Sequence, residues 1–238
     1  MTTGTAYFEC FLHSPDTYKG SILSFVASKV TGRVLEIGAG ATPWYWATAY
    51  IHKISEVVFT DVRPDFLSAY EDFIQTVDAK DWEKVTADTV ALLKKKNILA
   101  PDHSPGLILE HLFLKSRIQT ASFESVQTIP GLFDTILSIE GVECVNTYEQ
   151  LHTAFTAIFQ KLQNDGTFVA VVLPYVQVDD RIQRLIDSGL EGRLNPDQRM
   201  IEKVATEIGF TDIEIQEQDT GKTLYPRALY ISMKRKNI

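Results

Sequence analysis

The stretch Arg33-Val34-Leu35-Glu36-Ile37 is a short apolar run cut off by Gly38-Ala39-Gly40, and no other feature narrows the possible folds as far. A run of this length stopped by glycine reads as a parallel strand covered on both faces. Glycine at the strand's end lets backbone approach a ligand where a side chain would fill the space. Beyond the turn, residues 44–51 are helical in pattern, 56–60 (EVVFT) read as a second buried strand, and Asp61 follows directly. The acid lies 61 − 40 = 21 residues after the last loop glycine. From there a carboxylate accepts hydrogen bonds from both ribose hydroxyls of an adenosine-containing ligand.

The pattern continues in the same style. Residues 65–77 place Phe66, Ala69, Tyr70 and Phe73 on one helical face. Helical segments are expected at 85–96 and 106–116, separated by the loop Ala100-Pro101-Asp102-His103-Ser104-Pro105. A plain doubly wound sheet needs no such material, so 78–116 reads as a helical insertion before a third strand at 117–122. A fourth strand is expected at 133–139 and a helix at 147–162. A left-handed turn at Asn164-Asp165-Gly166 is expected to close that helix before a fifth strand at 167–173. Asn195-Pro196-Asp197 opens a helix at 198–208 that Gly209 ends. Strands at 211–218 and 228–234 are joined by a loop too short for a crossover helix, so they pair antiparallel. The fold class expected is α/β, a doubly wound, mostly parallel, Rossmann-like sheet of seven strands with an antiparallel C-terminal pair. The whole of 1–238 reads as one domain, with 1–32 as an N-terminal helical or lid segment.

Composition removes several functions. Lys plus Arg is 23 and Asp plus Glu is 31, a net charge of −8, which suits no tracking of a phosphate backbone. The runs Lys94-Lys95-Lys96 and Lys234-Arg235-Lys236 read as a helix end and a polar tail. With Cys10 and Cys144 alone, no cysteine-built zinc site forms, no metal is expected, and a reducing, cytoplasmic setting follows. No apolar stretch approaches a membrane span, and the N-terminus lacks the pattern of a secretion signal.

The glycine loop discriminates among ligands. Pro43 occupies the third glycine position of a dinucleotide motif, and proline lacks the amide that pyrophosphate binding over a helix start uses. This argues against a nicotinamide-dependent oxidoreductase. Glu36, beside the loop, suits a ligand carrying positive charge. The segments VLEIGAG (34–40), VVFTD (57–61), FDTILSIEGVECV (133–145) and LQNDGTFVAVVL (162–173), with the antiparallel finish, resemble the class I S-adenosylmethionine-dependent methyltransferases. The resemblance implies S-adenosylmethionine as cofactor. Gly38, Ala39 and Gly40 would pass under its methionine portion, and Glu36 would help hold the ammonium end. Asp61, followed by Val62, would take the ribose. Ser122 and Phe123 would frame the adenine, although many members carry an acid at the Ser122 position. Ser138 and Ile139 would lie near the sulfonium. The aromatic-rich N-terminal segment could close over the cofactor, with Tyr7 or Tyr18 touching the methionine portion.

A second likeness, to the nicotinamide and phenylethanolamine N-methyltransferase group, rests on the order of Gly40-Ala41-Thr42, Thr60-Asp61 and Asp81-Trp82. It implies methyl transfer to the nitrogen of a small-molecule amine. O- or C-methyl transfer, or a non-catalytic cofactor-binding scaffold, remain the alternatives, and the oligomeric state stays open. Nucleic-acid amines are disfavoured by the lack of an Asn/Asp-Pro-Pro-Tyr/Phe stretch. Methyl transfer from a sulfonium is an in-line displacement, so the protein chiefly positions the nucleophile and excludes water. Glu140 and Glu143, just past the fourth strand, and Tyr175, just past the fifth, fall at the carboxyl edge where such sheets bind ligands; they are the candidate catalytic groups. His103 and His111 are alternative bases.

Overall fold

The computed structural model describes residues 17–236, in two compact units divided between Thr120 and Ala121. Tyr7 lies outside the described residues. In the first unit, helix α1 (Thr17–Lys29) leads into β1 (Gly32–Ile37), the short helix α2 (Pro43–Ala47), and β2 (Ile54–Asp61). Three helices follow, α3 (Pro64–Thr76), α4 (Ala79–Lys95) and α5 (Pro105–Lys115), before β3 (Ser116–Thr120). Strand β2 pairs parallel with both neighbours, Leu35 opposite Val58 and Val58 opposite Arg117.

Local chemistry sets where these helices start. Asp78 accepts a hydrogen bond from the Asp81 amide at 2.8 Å, and Ser104 accepts from Leu107 at 3.2 Å. Proline opens α2, α3 and α5, where its missing amide costs nothing. The Asp78 cap starts α4 six residues earlier than the apolar spacing predicted, at Ala79 rather than 85. Conversely, α2 stops at Ala47, where the expected helix ran to 51. Trp44, Tyr45 and Trp46 are all buried. Trp44 stacks on Phe73 at 5.4 Å and meets Trp82 edge-on at 5.3 Å. Trp82 is fully buried, and its indole Nε1 donates to the Pro105 carbonyl at 2.6 Å. That bond and ring contact fasten α4 and the start of α5 to the core of this unit.

The second unit contains β4 (Phe133–Ile139), α6 (Tyr148–Lys161), β5 (Leu162–Val172), α7 (Asp180–Asp187), α8 (Gln198–Ile208), β6 (Phe210–Asp219) and β7 (Arg227–Arg235). Strands β4 and β5 are parallel, with Ser138 opposite Ala170. Strand β7 lies between β5 and β6, antiparallel to each. The strand order is β3-β2-β1-β4-β5-β7-β6, a seven-stranded, mostly parallel sheet with an antiparallel finish, as the pattern predicted. Phe155, Phe168 and Phe210 form an edge-on aromatic cluster between α6 and the strands.

One expectation for this unit needs correction, and one helix was not anticipated. The turn at Asn164-Asp165-Gly166 does not separate α6 from its strand; β5 already begins at Leu162. The left-handed residue there is Asp165 (φ 62°), while Gly166 has no room for a side chain beside the Gln163 carbonyl. Helix α7 was not expected from the sequence, although Ile182, Leu185 and Ile186 fall at three- and four-residue spacing on one face; it starts where Asp179 caps the amides of Arg181 and Ile182. Gly209, by contrast, ends α8 in the left-handed conformation expected of it (φ 102°).

Trp82→Ala is expected to cost about 3–5 kcal/mol of folding stability, because it empties a fully buried aromatic site and orphans the Pro105 carbonyl. Urea denaturation measures this, and a loss below about 1 kcal/mol would contradict the fastening role given to Trp82.

Candidate functional site

At the carboxyl end of β1 the chain turns through Gly38 (φ 73°) and Gly40 (φ 68°), both in the left-handed region that favours glycine. Two short bonds tie this loop to β2. The Ala39 amide donates to the Thr60 carbonyl at 2.9 Å, and the Gly40 amide donates to Asp61 Oδ2 at 2.9 Å. Asp61 Oδ1 accepts from the Arg63 amide at 2.8 Å. The carboxylate is buried, yet each of its oxygens retains a second lone pair for a ligand donor. Among the described residues, a Cβ built on Gly40 would meet nothing within 4 Å, so Gly40 faces open space there. Val62, next along, is 67% exposed. This arrangement fits a ribose held by Asp61 and a flexible polar chain crossing the glycine backbone.

Glu36 sits inside β1 and is fully covered. Its Oε2 accepts from the Tyr50 hydroxyl at 2.6 Å, and the Thr60 hydroxyl donates to its backbone carbonyl at 2.9 Å. Burial drives the carboxyl up from its ordinary 4.5 to about 8, the Tyr50 bond opposing the shift. Glu36 thus holds a proton at neutral pH, and a cation brought beside it would favour its ionisation. Tyr18 is buried in the first turn of α1.

In the second unit, Ser138, one residue before the end of β4, is fully buried, with no hydrogen-bond partner for its hydroxyl among the described residues. Ile139 is buried beside it. Ser122 and Ser125 bond each other in a tight turn past β3, with Phe123 half-buried between them. Glu140 adopts φ 55° directly after β4, an uncommon conformation for a residue with a side chain. That bend turns the chain into a short 3-10 turn at Val142–Cys144.

Glu143 is 3% exposed; its Oε1 accepts from the Leu173 amide at 3.2 Å, and its Oε2 has no partner among the described residues. Burial, then the charge of Glu191, pushes its carboxyl well above the usual range. The structure therefore adds two residues to the acids anticipated, Glu191 and Tyr225. Glu191 is buried, and its Oε2 accepts from the Tyr225 hydroxyl at 3.0 Å. Gly192 packs so tightly that a Cβ would overlap the carbonyl oxygens of Glu143 and Val145. The Leu194 amide donates to Val145 at 3.2 Å. Tyr175, also buried, donates through its hydroxyl towards the carbonyls of Gly192 and Arg193 at 3.4 and 3.3 Å. Its backbone exchanges two 2.9 Å bonds with the Asn195 side chain. Tyr175 thus positions the loop that carries Glu191. Nothing periodic in the sequence flags Glu191 or Tyr225; only Gly192 and Asn195, small and turn-forming, hinted at a shaped loop.

The alternative bases go elsewhere. His52 precedes the first residue of β2, and its ring meets that of His103 edge-on at 4.9 Å. Burial, aided by His103, Lys53, His111 and Lys115, lowers His52 to about 4. Lys115 donates to the carbonyls of Ile51 and Ile54 at 3.0 and 2.9 Å. His103 and His111 therefore gather at the amino end of β2, opposite the end that presents Asp61.

No family model matches this sequence, and no curated protein matches it. Solved structures do. The chain is similar to a carbon methyltransferase, CurJ (TM-score 0.60, 18% identity), over 98% of its own length and 58% of that chain. It is similar to phosphoethanolamine N-methyltransferase 2 from Haemonchus contortus, solved with S-adenosyl-L-methionine (TM-score 0.63, 11% identity), over 98% of its length and 57% of that chain. It is also similar to the N-methyltransferase NodS from Bradyrhizobium japonicum WM9 (TM-score 0.53, 14% identity), over 91% of its length and 93% of that chain. The chain thus spans little more than half of two of these relatives. At such identities the likeness establishes the fold, the Rossmann-like fold of S-adenosylmethionine-dependent methyltransferases.

Two outcomes follow from this geometry. Folding takes up a proton at Glu36 between pH 4.5 and about 8, so its contribution is complete below that window and is lost as pH rises through it. In thermal unfolding from pH 5 to 8, Glu36→Gln is expected to show a flatter fall in Tm than the parent chain. Gly192→Ala is expected to cost at least about 2 kcal/mol, because the methyl has backbone rather than a flexible side chain to displace. Equal stability in chemical denaturation would show that the loop does not clamp there.

Proposed function

We propose that this chain binds S-adenosylmethionine at the loop of residues 38–40 and transfers its methyl group to the nitrogen of a small-molecule amine. One observation carries the reading: the Gly40 amide is locked onto Asp61 while the face of Gly40 stays open. That combination leaves lone pairs of a fixed carboxylate for a ribose and bare backbone for a slender chain. It offers no row of free amides at a helix start for a diphosphate, since Pro43 opens α2. Gly38, Ala39 and Gly40 would support the methionine portion, Asp61 the ribose, and Val62 would offer apolar surface beside it. Glu36 supplies a protonatable carboxyl for the ammonium end. When bound, the cofactor would supply a methyl group already activated by a sulfonium sulfur.

On the acceptor side, support comes from the chemistry of the groups past β4 and β5. An amine attacks only with its lone pair free, so a proton must leave the nitrogen. Glu143, a buried carboxyl held above the ordinary range with one oxygen unpartnered, is suited to take it. Glu140 stands at the bend that delivers Glu143, and Tyr175 positions the facing loop. The N-methyltransferases among the similar structures agree with this choice of acceptor, and the carbon methyltransferase shows why fold alone does not decide it.

Calorimetry with S-adenosylhomocysteine tests the cofactor half. Binding is expected, and Asp61→Asn should weaken it tenfold or more, in line with losing about 1.5–3 kcal/mol from a charged hydrogen bond. No binding by the parent chain would sink the reading. Methyl transfer across a panel of amines, phenols and carboxylic acids tests the other half, with turnover expected on amines.

A further inference from the structure

The loop carrying Glu191 is built to hold one carboxylate against another. Gly192 brings its backbone onto the carbonyls of Glu143 and Val145, a contact that any side chain would prevent. Cys144 Sγ lies 3.8 Å from the Leu190 carbonyl, the Arg193 amide donates to Asn146 Oδ1 at 3.3 Å, and Tyr175 grips the carbonyls of Gly192 and Arg193. Glu191 arrives beside Glu143 through these ties; it is the strongest charge acting on Glu143. The charges acting on Glu143, Glu191, Tyr175 and Tyr225 come from Glu140, Glu143 and Glu191 themselves. Two acids 3% and 7% exposed, with no lysine or arginine paired to either among the described residues, are costly unless a proton or a cation accompanies them. Glu143 Oε2 is the atom left open for that visitor.

The surroundings limit what the visitor can be. Val176, Val178 and Leu190 are 65%, 53% and 45% exposed, and they adjoin Tyr175 and Glu191 in the chain. The Val176 amide bonds the Leu224 carbonyl at 3.2 Å, which draws this apolar rim to the segment bearing Tyr225. Buried acids with exposed apolar residues adjoining them in the chain match a cation on a compact apolar body.

We propose that Glu143 and Glu191, braced by Tyr225, form the seat for a protonated amine carried on a small apolar or aromatic body. This rests on the methyl-transfer reading for its role as acceptor site, but the seat lies wholly within residues 121–236 and binds without cofactor. In the empty seat burial raises both carboxyls, and the charge of Glu191 raises Glu143 further, which favours a protonated Glu143. The ammonium replaces that proton on entry.

Benzylamine and its neutral isostere benzyl alcohol, titrated into the full chain without cofactor and followed by NMR and calorimetry, test the seat. Benzylamine is expected to bind at least tenfold more tightly than the alcohol. It should release a proton at pH 7, read as a heat that changes with the buffer's ionisation enthalpy. Glu191→Gln and Tyr225→Phe should each weaken benzylamine, the former tenfold or more, and leave S-adenosylhomocysteine binding unchanged. Glu143→Gln should abolish the proton release. Equal affinity for amine and alcohol, or benzylamine affinity and proton release unaltered in Glu191→Gln, overturns the seat. Loss of S-adenosylhomocysteine binding by the parent chain with amine preference intact would instead overturn the cofactor reading alone.

Discussion

The amide of Gly40 and the carboxylate of Asp61, 2.9 Å apart, hold together two strand ends that would otherwise drift as independent loops. The shape of the glycine turn and the placement of the Asp61 carboxylate in the proposed cofactor site depend on that bond. It fixes the left-handed backbone of the turn, keeps Gly40 facing open space, and consumes one lone pair of Asp61 while leaving others. The parallel register of β1 and β2, Ile37 opposite Thr60, brings the two ends level, and the Ala39 amide on the Thr60 carbonyl completes the clamp. A parallel sheet gathers its strand ends at one edge by construction, so such a clamp is available only where connection and register agree.

What the sequence disclosed follows the range of the interactions involved. Elements built from local patterns were legible: β4 falls on its apolar run, α8 stops at Gly209, and the final strands pair as their short loop requires. Ends set by a single capping side chain were less so, as Asp78 and Asp179 show. The glycine loop and its acid were readable because 21 residues separate them in a recurring strand-helix-strand unit. The pairing of Glu143 with Glu191 was not, because it depends on the close approach of Gly192 to a carbonyl 49 residues earlier. Tyr175 stood out as an aromatic at the right edge, yet its hydroxyl serves the backbone of that loop. The histidines looked like bases on chemistry alone, and only the fold shows that they collect at the opposite end of β2.

The two sets of buried carboxyls use burial differently. Glu36 shares its oxygen with Tyr50 and keeps a single proton among neutral neighbours. The charge of Glu191 acts on Glu143, and the two draw on amides of Leu173 and Gly192 and a tyrosine hydroxyl for partial compensation. Both arrangements store unfavourable free energy that a cation would relieve, which is the physical sense in which a positively charged ligand suits this molecule.

Strand β6 forms one border of the sheet, with half of its hydrogen-bonding groups turned away from β7. Such borders are templates on which further chains can stack into aggregates. Here the border carries Asp212, Glu214, Glu217 and Asp219, spread along ten residues in which only Phe210 is buried. A second molecule approaching edge to edge would meet these carboxylates, of which Asp212 is paired with Lys236 and Glu217 with Arg227. Charged side chains on such a margin, paired or not, hold water that a neighbouring strand would have to displace, a colloidal consequence of composition apart from any ligand.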